Sequence, residues 1–303
     1  MEVGGLILCL GEALVDLIHD PASDSPQAAD SFTAHFGGAL ANVAVAAARR
    51  GATAGLAGAA GDDEWGLWLR ERLEREGVDV RFFGLLQGEQ TPVAFARFDE
   101  TGTPSFEIYG DAVQVAVESV APRLEPAIDA AAALVYSSTT LASEGEREVT
   151  LRARELALER GVRVCFDPNI RPNRWGGDER GAAAASRELI EGSFLVRANH
   201  REAAAITGRE DPREAAAAIA EMGAELAVVT LGAEGAVIRG ASEAEAPAPE
   251  VTVVSTLGAG DAFMGTLVAE LAARGWDATA AGGALEAALD AAAAVCTRLS
   301  ALD

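Results

Sequence analysis

Near its C-terminal end the chain reads Ser255-Thr256-Leu257-Gly258-Ala259-Gly260-Asp261-Ala262-Phe263, between an apolar run at Val251–Val254 and a helical pattern at Ala262–Arg274. The apolar run predicts a buried strand, and Asp261 stands where the helix is predicted to start. Backbone N–H groups at a helix start are unpaired and attract an anion. An acid beside that anion can take a proton from an attacking hydroxyl, so the motif is typical of phosphoryl transfer. The alternative is a glycine turn with Asp261 as a structural N-cap.

Charge and composition limit the classes of protein to which the chain can belong. Its 303 residues carry a net charge of −23, and 50% of them are hydrophobic, which is enough for one large α/β domain. Such an acidic chain repels nucleic acid and anionic membranes, so we expect neither as a partner. The chain has no lysine, which excludes a lysine P-loop, a protein-kinase site and Schiff-base chemistry. Positive potential for an anionic ligand must come from arginine, Mg²⁺ and helix N-termini.

The three cysteines and the hydropathy pattern favour a cytoplasmic protein. Cys9, Cys165 and Cys296 are odd in number and far apart, which is typical of reduced core residues. The N-terminus has no basic flank before a long apolar run. No stretch is expected to approach the ~18 apolar residues of a membrane span.

Short apolar runs alternate with longer helical patterns, which predicts an open, mostly parallel sheet with helices on both faces. The predicted strands are Leu6–Leu10, Ala133–Ser137, Val162–Phe166, Phe194–Arg197, Leu226–Thr230 and Val251–Val254. The predicted helices are Ala39–Arg50, Trp65–Glu76, Glu144–Arg160, Arg180–Glu191, Glu214–Met222 and Ala262–Arg274. Glycines that could close helices in a left-handed conformation follow at Gly51, Gly77, Gly161, Gly223 and Gly275.

Two segments interrupt the alternation, at about residues 13–36 and 91–112. The second segment predicts two strands, Val93–Asp99 and Pro104–Tyr109, around the turn signal Glu100-Thr101-Gly102. Together the segments predict a small β lid over one edge of the sheet. Two ordinary surface hairpins are the alternative.

Polar residues collect where the predicted strands end, and ligands bind beyond the carboxyl ends of strands in open α/β sheets. Each position also has a structural explanation. Asn199 and Glu202 share one helical face, so they suit a hydrated Mg²⁺ or a plain surface pair equally well. A dinucleotide loop is disfavoured, because Phe263 stands in place of its third glycine. The polar strand ends are Asp16, Asp167–Arg171, Asn199 with Glu202, Thr230–Gly232 and the Ser255–Phe263 stretch.

Two of these motifs, in this order, resemble the signatures of the ribokinase-like sugar kinases, also called the PfkB carbohydrate kinase family. The first is Phe36-Gly37-Gly38-Ala39-Leu40-Ala41-Asn42-Val43-Ala44 through to Gly51, and the second is Gly258–Phe263. Gly61-Asp62-Asp63 followed by Gly66 also matches, and the resemblance runs from Leu6 to Ala301. It implies an α/β/α sandwich with a mostly parallel central sheet and a small β lid, in a single domain over residues 1–303.

The resemblance implies an ATP-dependent sugar kinase that transfers the γ-phosphate to a hydroxymethyl group. Asp261 would be the catalytic base, beside an anion hole formed by the backbone of Gly258, Ala259, Gly260 and Asp261. The sugar would lie against Asp16, Gly37, Gly38, Asn42 and Arg171. The nucleotide would lie along Asn199, Thr230, Gly232 and Gly235, and Glu202 would act through Mg²⁺ and its waters.

Within the family the stretch Asp167–Pro172 with Trp175 looks most like fructokinases, with 2-keto-3-deoxygluconate kinases close behind. The family's second signature usually starts with an acid that helps to bind a monovalent cation, so Ser255 weighs against K⁺ as a cofactor. Leu289 stands where relatives often carry an asparagine near the adenine. The alternatives to a fructokinase are a 2-keto-3-deoxygluconate kinase, a nucleoside kinase and a catalytically silent sugar- or nucleotide-binding protein. The resemblance also leaves open a homodimer formed through the lid.

Overall fold

The computed structural model describes residues 5–19, 31–98, 104–108 and 110–302. The strands are β1 (Leu6–Leu10), β2 (Leu14–His19), β3 (Phe32–Gly37), β4 (Ala54–Gly61), β5 (Phe83–Leu86), β6 (Val93–Phe98), β7 (Pro104–Ile108), β8 (Ala131–Ser137), β9 (Arg163–Asp167), β10 (Leu195–Asn199), β11 (Leu226–Thr230), β12 (Ala236–Gly240) and β13 (Ala244–Ala246). The helices are α1 (Ala39–Arg49), α2 (Glu64–Arg75), α3 (Ala112–Glu118), α4 (Leu124–Asp129), α5 (Glu144–Glu159), α6 (Glu179–Glu188), α7 (His200–Thr207), α8 (Pro212–Glu221), α9 (Ala259–Ala273) and α10 (Leu285–Cys296).

The central sheet has the strand order β13-β12-β11-β10-β9-β8-β1-β4-β5. Its strands are parallel except at one edge, where β12 and β13 run antiparallel to their neighbours. The parallel strands are continuous apolar runs, because helices cover both faces of the sheet. Side chains of β1 alternate between the two cores: Ile7 and Cys9 pack on the side of α1 and α9, and Leu8 packs on the side of α5. The predicted α/β/α sandwich is therefore confirmed.

Five of the six predicted strands are present, but the prediction of a buried strand at Val251–Val254 is wrong. This segment forms no strand, and Val251, Val253 and Val254 are 39%, 50% and 51% exposed. Val251 and Val253 contribute apolar surface to a cavity instead of to the core of the sheet. Conversely, β4 reads Ala-Gly-Leu-Ala-Gly-Ala-Ala-Gly and gave no strand signal, because it has no β-branched or aromatic residue.

All six predicted helices are present, with ends that differ by up to three residues. The five glycines predicted to close helices have positive φ angles, as expected. The largest difference in a starting residue is at α9, which begins at Ala259 rather than Ala262. Asp261 therefore lies inside the first turn of α9 and is not its N-cap.

The lid is a separate four-stranded sheet of order β3-β2-β6-β7. Strand β2 pairs antiparallel with β3 and parallel with β6, and β6 pairs antiparallel with β7. The predicted strand pair in the second lid segment is thus confirmed over β6 and β7. The turn predicted at Glu100-Thr101-Gly102 and the strand ends predicted at Asp99 and Tyr109 lie outside the described residues, as do residues 20–30.

One described segment, Ala278–Cys296, is long and apolar enough to cross a membrane, contrary to the expectation that no stretch approaches this length. The segment is rich in alanine, which raises its hydropathy without large apolar side chains. A 3₁₀ turn occupies Ala278–Ala284, so the α-helical part is only the 12 residues of α10. Because a membrane helix needs about 20 residues, and because α10 packs along α9, we assign the segment to the helical layer of the fold.

Candidate active site

The first turn of α9 carries the acid that the sequence points to. Gly258 is the N-cap residue, and its φ of +78° is a left-handed conformation that favours glycine. Asp261 follows as the third helical residue, and its side chain is buried. The N–H of Ala259 makes a long bond of 3.3 Å to the carbonyl of Thr256. Among the described residues the N–H groups of Gly260 and Asp261 have no acceptor, so they are free to bind an anion.

A hydrogen bond from α1 holds the Asp261 carboxylate. Asn42 Nδ2 donates to Asp261 Oδ2 at 3.0 Å, and both residues are buried. Burial raises the pKa of Asp261 to about 6, while the bond from Asn42 and the charge of Arg171 act to lower it. A general base works best with a pKa near the working pH. Asp261 therefore suits proton abstraction better than an ordinary carboxylate would.

A first cavity opens beside Asp261 and brings together most of the predicted sugar-binding residues. Asp16 from β2, Gly38 and Asn42 from the entry to α1, and Arg171 after β9 all line it. Gly37 is not among its lining residues and ends β3. Asn42 Oδ1 is buried and has no hydrogen-bond partner among the residues that the structure describes. It is a free acceptor for a hydroxyl group of a ligand.

The opposite wall of the first cavity is apolar and comes largely from the lid. The Arg171 guanidinium lies over the ring of Phe106, with its carbon 5.8 Å from the ring centroid. Asn173 Nδ2 donates to the backbone carbonyl of Phe106 at 2.7 Å, which ties β7 to the turn after β9. The apolar residues of this wall are Leu14, Ala94, Phe106, Ile108, Val113 and Leu257.

Four polar residues of the first cavity were not singled out from the sequence: Glu12, Thr139, Asn173 and Arg174. Glu12 is buried, and its carboxylate accepts bonds from the N–H of Ala39 at 3.1 Å and from Thr139 Oγ1 at 3.4 Å. Burial raises the pKa of Glu12. The available signal was its place, two residues beyond the end of β1, since polar residues at strand ends point to a site.

A second cavity of about 530 Å³ lies on the other side of the α9 N-terminus. This volume is within the range of small-molecule sites. Thr230, Gly232 and Gly235 line it, as the sequence predicts for three residues along one ligand. Leu289 of α10 and the misassigned valines Val251 and Val253 add apolar surface.

Asn199 and Glu202 do not line either cavity in the part of the chain that the structure describes. They form a reciprocal cap at the start of α7 instead. Asn199 Oδ1 accepts the N–H of Glu202 at 3.0 Å, and Glu202 Oε2 accepts the N–H of Asn199 at 2.9 Å. Glu202 Oε1 accepts the N–H of Ile170 at 2.9 Å. The spacing of three residues noted in the sequence is that of a capping box, in which Asn199 is the N-cap of α7 and Glu202 is its third residue.

The carboxylate oxygens near the expected Mg²⁺ would bind the ion through its water molecules. The described residues contain no cluster of three carboxylate, histidine or cysteine side chains suited to a metal. Each oxygen of Glu202 accepts one backbone N–H, which leaves a lone pair for a water molecule. Burial and then the charge of Asp167 raise the pKa of Glu202, while the charges of Arg197 and Arg171 act to lower it. A hydrated Mg²⁺ beside the two carboxylates would offset their repulsion.

The residues present do not fit a monovalent cation at Ser255. The Ser255 side chain is buried, and its hydroxyl accepts the N–H of Leu257 at 3.0 Å. The carbonyl of Cys296 lies opposite and accepts the N–H groups of Val254 at 2.8 Å and Ser255 at 3.3 Å. A serine stands where a carboxylate would be needed, and the Cys296 carbonyl already accepts two N–H groups, so no step of the reaction is assigned to K⁺.

Comparison with known proteins decides the family. The pfkB carbohydrate kinase family matches residues 5–302. The chain belongs to this family. It is 34% identical to the fructokinase of Klebsiella pneumoniae over 90% of this chain and 86% of that one. It is 31% identical to the aminoimidazole riboside kinase of Salmonella typhimurium over 91% of this chain and 84% of that one.

A solved structure gives the same result for the fold. The double-mutant fructokinase of Vibrio cholerae O395, with fructose, ADP and a potassium ion bound, superposes with a TM-score of 0.85. The two chains are 27% identical, and the match covers 100% of this chain and 95% of that one. The chain is thus a carbohydrate kinase with a ribokinase-like fold.

The buried Asp16 makes a prediction about stability. Burial and then the charge of Asp261 raise the pKa of Asp16 from 3.8 to about 7. A raised pKa adds stability that is complete below the unfolded value and is lost as the pH rises through the folded value. Asp16→Asn should therefore raise the melting temperature at about pH 8 and change it little at about pH 4, where wild-type Asp16 is largely protonated.

Thermal unfolding of both proteins at the two pH values measures this difference. Asp290→Asn, at an exposed position on α10, is the matched control and should change little at either pH. Equal effects of Asp16→Asn at both pH values would show that ionisation of Asp16 does not destabilise the folded protein.

Proposed function

We propose that this carbohydrate kinase transfers the γ-phosphate of ATP to a hydroxymethyl group of a small neutral sugar, with fructose the first candidate. One observation carries the proposal: the two cavities meet at the first turn of α9. Asp261 lines the first cavity, and its neighbours Ala259 and Gly260 line the second. A hydroxyl in the first cavity and a phosphate in the second would therefore face each other across a base and two free amides.

The transfer follows from that arrangement. Asp261 accepts the proton of the sugar hydroxyl while the hydroxyl oxygen bonds to the γ-phosphorus and the bond to ADP breaks. The free N–H groups of Gly260 and Asp261 stabilise the charge on the transferring group. Mg²⁺, when bound, would supply further positive charge to the phosphates, and Glu202 and Asp167 would contact it through water molecules. The sugar is oriented by hydrogen bonds to Asp16 and to Asn42 Oδ1, and the apolar lid wall excludes water.

Charge in the first cavity favours a neutral sugar over 2-keto-3-deoxygluconate. Its lining includes three buried acids, namely Glu12, Asp16 and Asp261. Of the two arginines that line it, Arg174 forms an ion pair with Glu146, which leaves Arg171 to balance the acids. A substrate carboxylate would add a further negative charge to this site.

Phe106 supports a riboside as the second candidate. The structure places the Phe106 ring in the wall of the first cavity. A relative at 31% identity is an aminoimidazole riboside kinase. The apolar lid wall around Phe106 is where a heterocycle could pack.

A substrate screen tests the proposed function directly. ADP release is measured with ATP, Mg²⁺ and each of fructose, aminoimidazole riboside, ribose and 2-keto-3-deoxygluconate. We expect fructose to have the highest kcat/KM and 2-keto-3-deoxygluconate to be poor, and ³¹P NMR should show a phosphomonoester on a primary hydroxyl. A higher kcat/KM for the riboside would favour the second candidate. No ADP release with any sugar would contradict the proposal and favour a silent binding protein.

The second cavity fits the adenine end of the nucleotide without the asparagine that relatives often carry. Leu289 and the valines Val251 and Val253 give it apolar walls. We propose that packing against these residues replaces a polar contact to the base. Thr230 and the glycines after β11 would lie along the nucleotide on the other side.

The altered turn at Ser255 predicts a kinase that does not need K⁺. With the Ser255 hydroxyl bonded to Leu257, turnover should be equal in potassium and sodium salts of the same ionic strength. The measurement is kcat under saturating ATP and sugar in each salt. Ser255→Asp is the informative variant, because it supplies the missing carboxylate and should create a difference between the two salts. Strong activation of the wild-type enzyme by K⁺ would overturn this prediction.

A further inference from the structure

Arg197 is a buried cation that none of the roles described above uses. It lies in the middle of β10, between apolar residues, and its side chain is only 10% exposed. Arginine is almost never buried to this extent unless it is paired. The position was visible in the sequence as a charge at the end of the predicted strand Phe194–Arg197.

The hydrogen bonds of Arg197 leave part of its guanidinium without a partner. Nη1 donates to Asp167 Oδ2 at 3.0 Å, and Nη2 donates to Thr230 Oγ1 at 2.9 Å. Nε is buried and has no hydrogen-bond partner among the described residues. A buried donor without an acceptor costs free energy, so the unpaired Nε points to a ligand that supplies the missing acceptor.

The guanidinium lies directly against the first turn of α9. A Cβ atom at Gly260 would come within 2.8 Å of Arg197 Nη1. The backbone at Gly260 has no positive φ, so the close approach of the guanidinium is the constraint that favours glycine here. Arg197 thus places its charge beside the positive end of the α9 dipole and the free amides of Gly260 and Asp261. Asp167 balances part of the guanidinium charge, and an anion at this point could bind the guanidinium and the amides together.

The second cavity shows from which side an anion would come. Arg197 lines this cavity together with Thr230 and Gly260. Among the described residues that line it, Arg197 is the one cation. In a chain without lysine, this guanidinium is the charge available to an anionic group in the cavity.

We propose that Arg197 binds the terminal phosphates of the nucleotide, together with the first-turn amides of α9. This inference rests on the proposed function and adds a residue to it. Arginine suits the task because its planar fork can contact two oxygens at once. The ion pair with Asp167 holds the fork in place. It also joins the proposed phosphate site to the turn that carries Arg171, a residue of the first cavity. Arg197 forms no covalent bond and transfers no proton.

Binding of ADP compared with adenosine separates phosphate recognition from general packing. Calorimetry on the sugar-free protein measures the Kd of each ligand for wild type, Arg197→Met and Arg197→Lys. Methionine removes the charge and retains much of the apolar stem, while lysine retains the charge and loses the fork. We expect Arg197→Met to weaken ADP at least about tenfold, which corresponds to ~1.4 kcal/mol, and to change adenosine by less than about twofold. Arg197→Lys should fall in between.

Arg213→Met is the matched control, since Arg213 forms an exposed ion pair with Glu245 away from the cavity lining. It should leave both Kd values unchanged. If Arg197→Met does not fold because Asp167 is left as a lone buried charge, the double variant Arg197→Met/Asp167→Asn removes both charges and should show the same selective loss of ADP.

Two results would overturn the role of Arg197 alone: wild-type affinity of Arg197→Met for ADP, or an equal loss of ADP and adenosine binding. A wild-type protein that binds no ADP would contradict the proposed function itself, and the role of Arg197 with it.

Discussion

The hydrogen bond from Asn42 to Asp261 joins two helices at the place where the two cavities meet. It links α1, which follows the first glycine motif, to α9, which follows the second. The bond is buried and 3.0 Å long. The bond favours the charged form of the Asp261 carboxylate, whereas burial disfavours it and raises the pKa to about 6. Because the same turn also exposes two free amides, the base and the anion site are fixed relative to each other by one short stretch of backbone.

The rest of the site can be understood as charge arranged around that turn. In a chain with net charge −23, the proposed binding of a polyanionic nucleotide depends on local positive groups, namely the α9 amides and Arg197. The buried acids are not evenly spread. Glu12, Asp16 and Asp261 face the first cavity, which suits a polyol with many hydroxyl groups and disfavours an acidic sugar. Of the positive groups, Arg171 lines the first cavity, Arg197 lines the second, and the α9 amides lie where the two cavities meet.

Sequence reasoning located the site well. Asp16, Asn42, Arg171 and Asp261 come from four separate parts of the chain and line one cavity, as expected. Of the four, Arg171 alone follows a strand of the central sheet; Asp16 lies on the lid strand β2, and Asn42 and Asp261 lie on α1 and α9. The prediction of a strand at Val251–Val254 failed, because hydropathy does not distinguish apolar residues that line a cavity from apolar residues of a buried strand. Glu12 and Arg197 were missed because their roles depend on what packs against them in three dimensions. Ala-Gly runs such as β4 carry no strand propensity at all.

The central claim is that Asp261 is the base, and kcat of Asp261→Asn tests it most directly. Asparagine keeps the size and can still accept a bond from Asn42, so fold and sugar binding should persist, as thermal unfolding and calorimetry with the sugar can verify. We expect kcat to fall at least about a hundredfold, which is the low end of the contribution of a general base. A variant that folds, binds sugar and retains kcat within a few fold of wild type would contradict it.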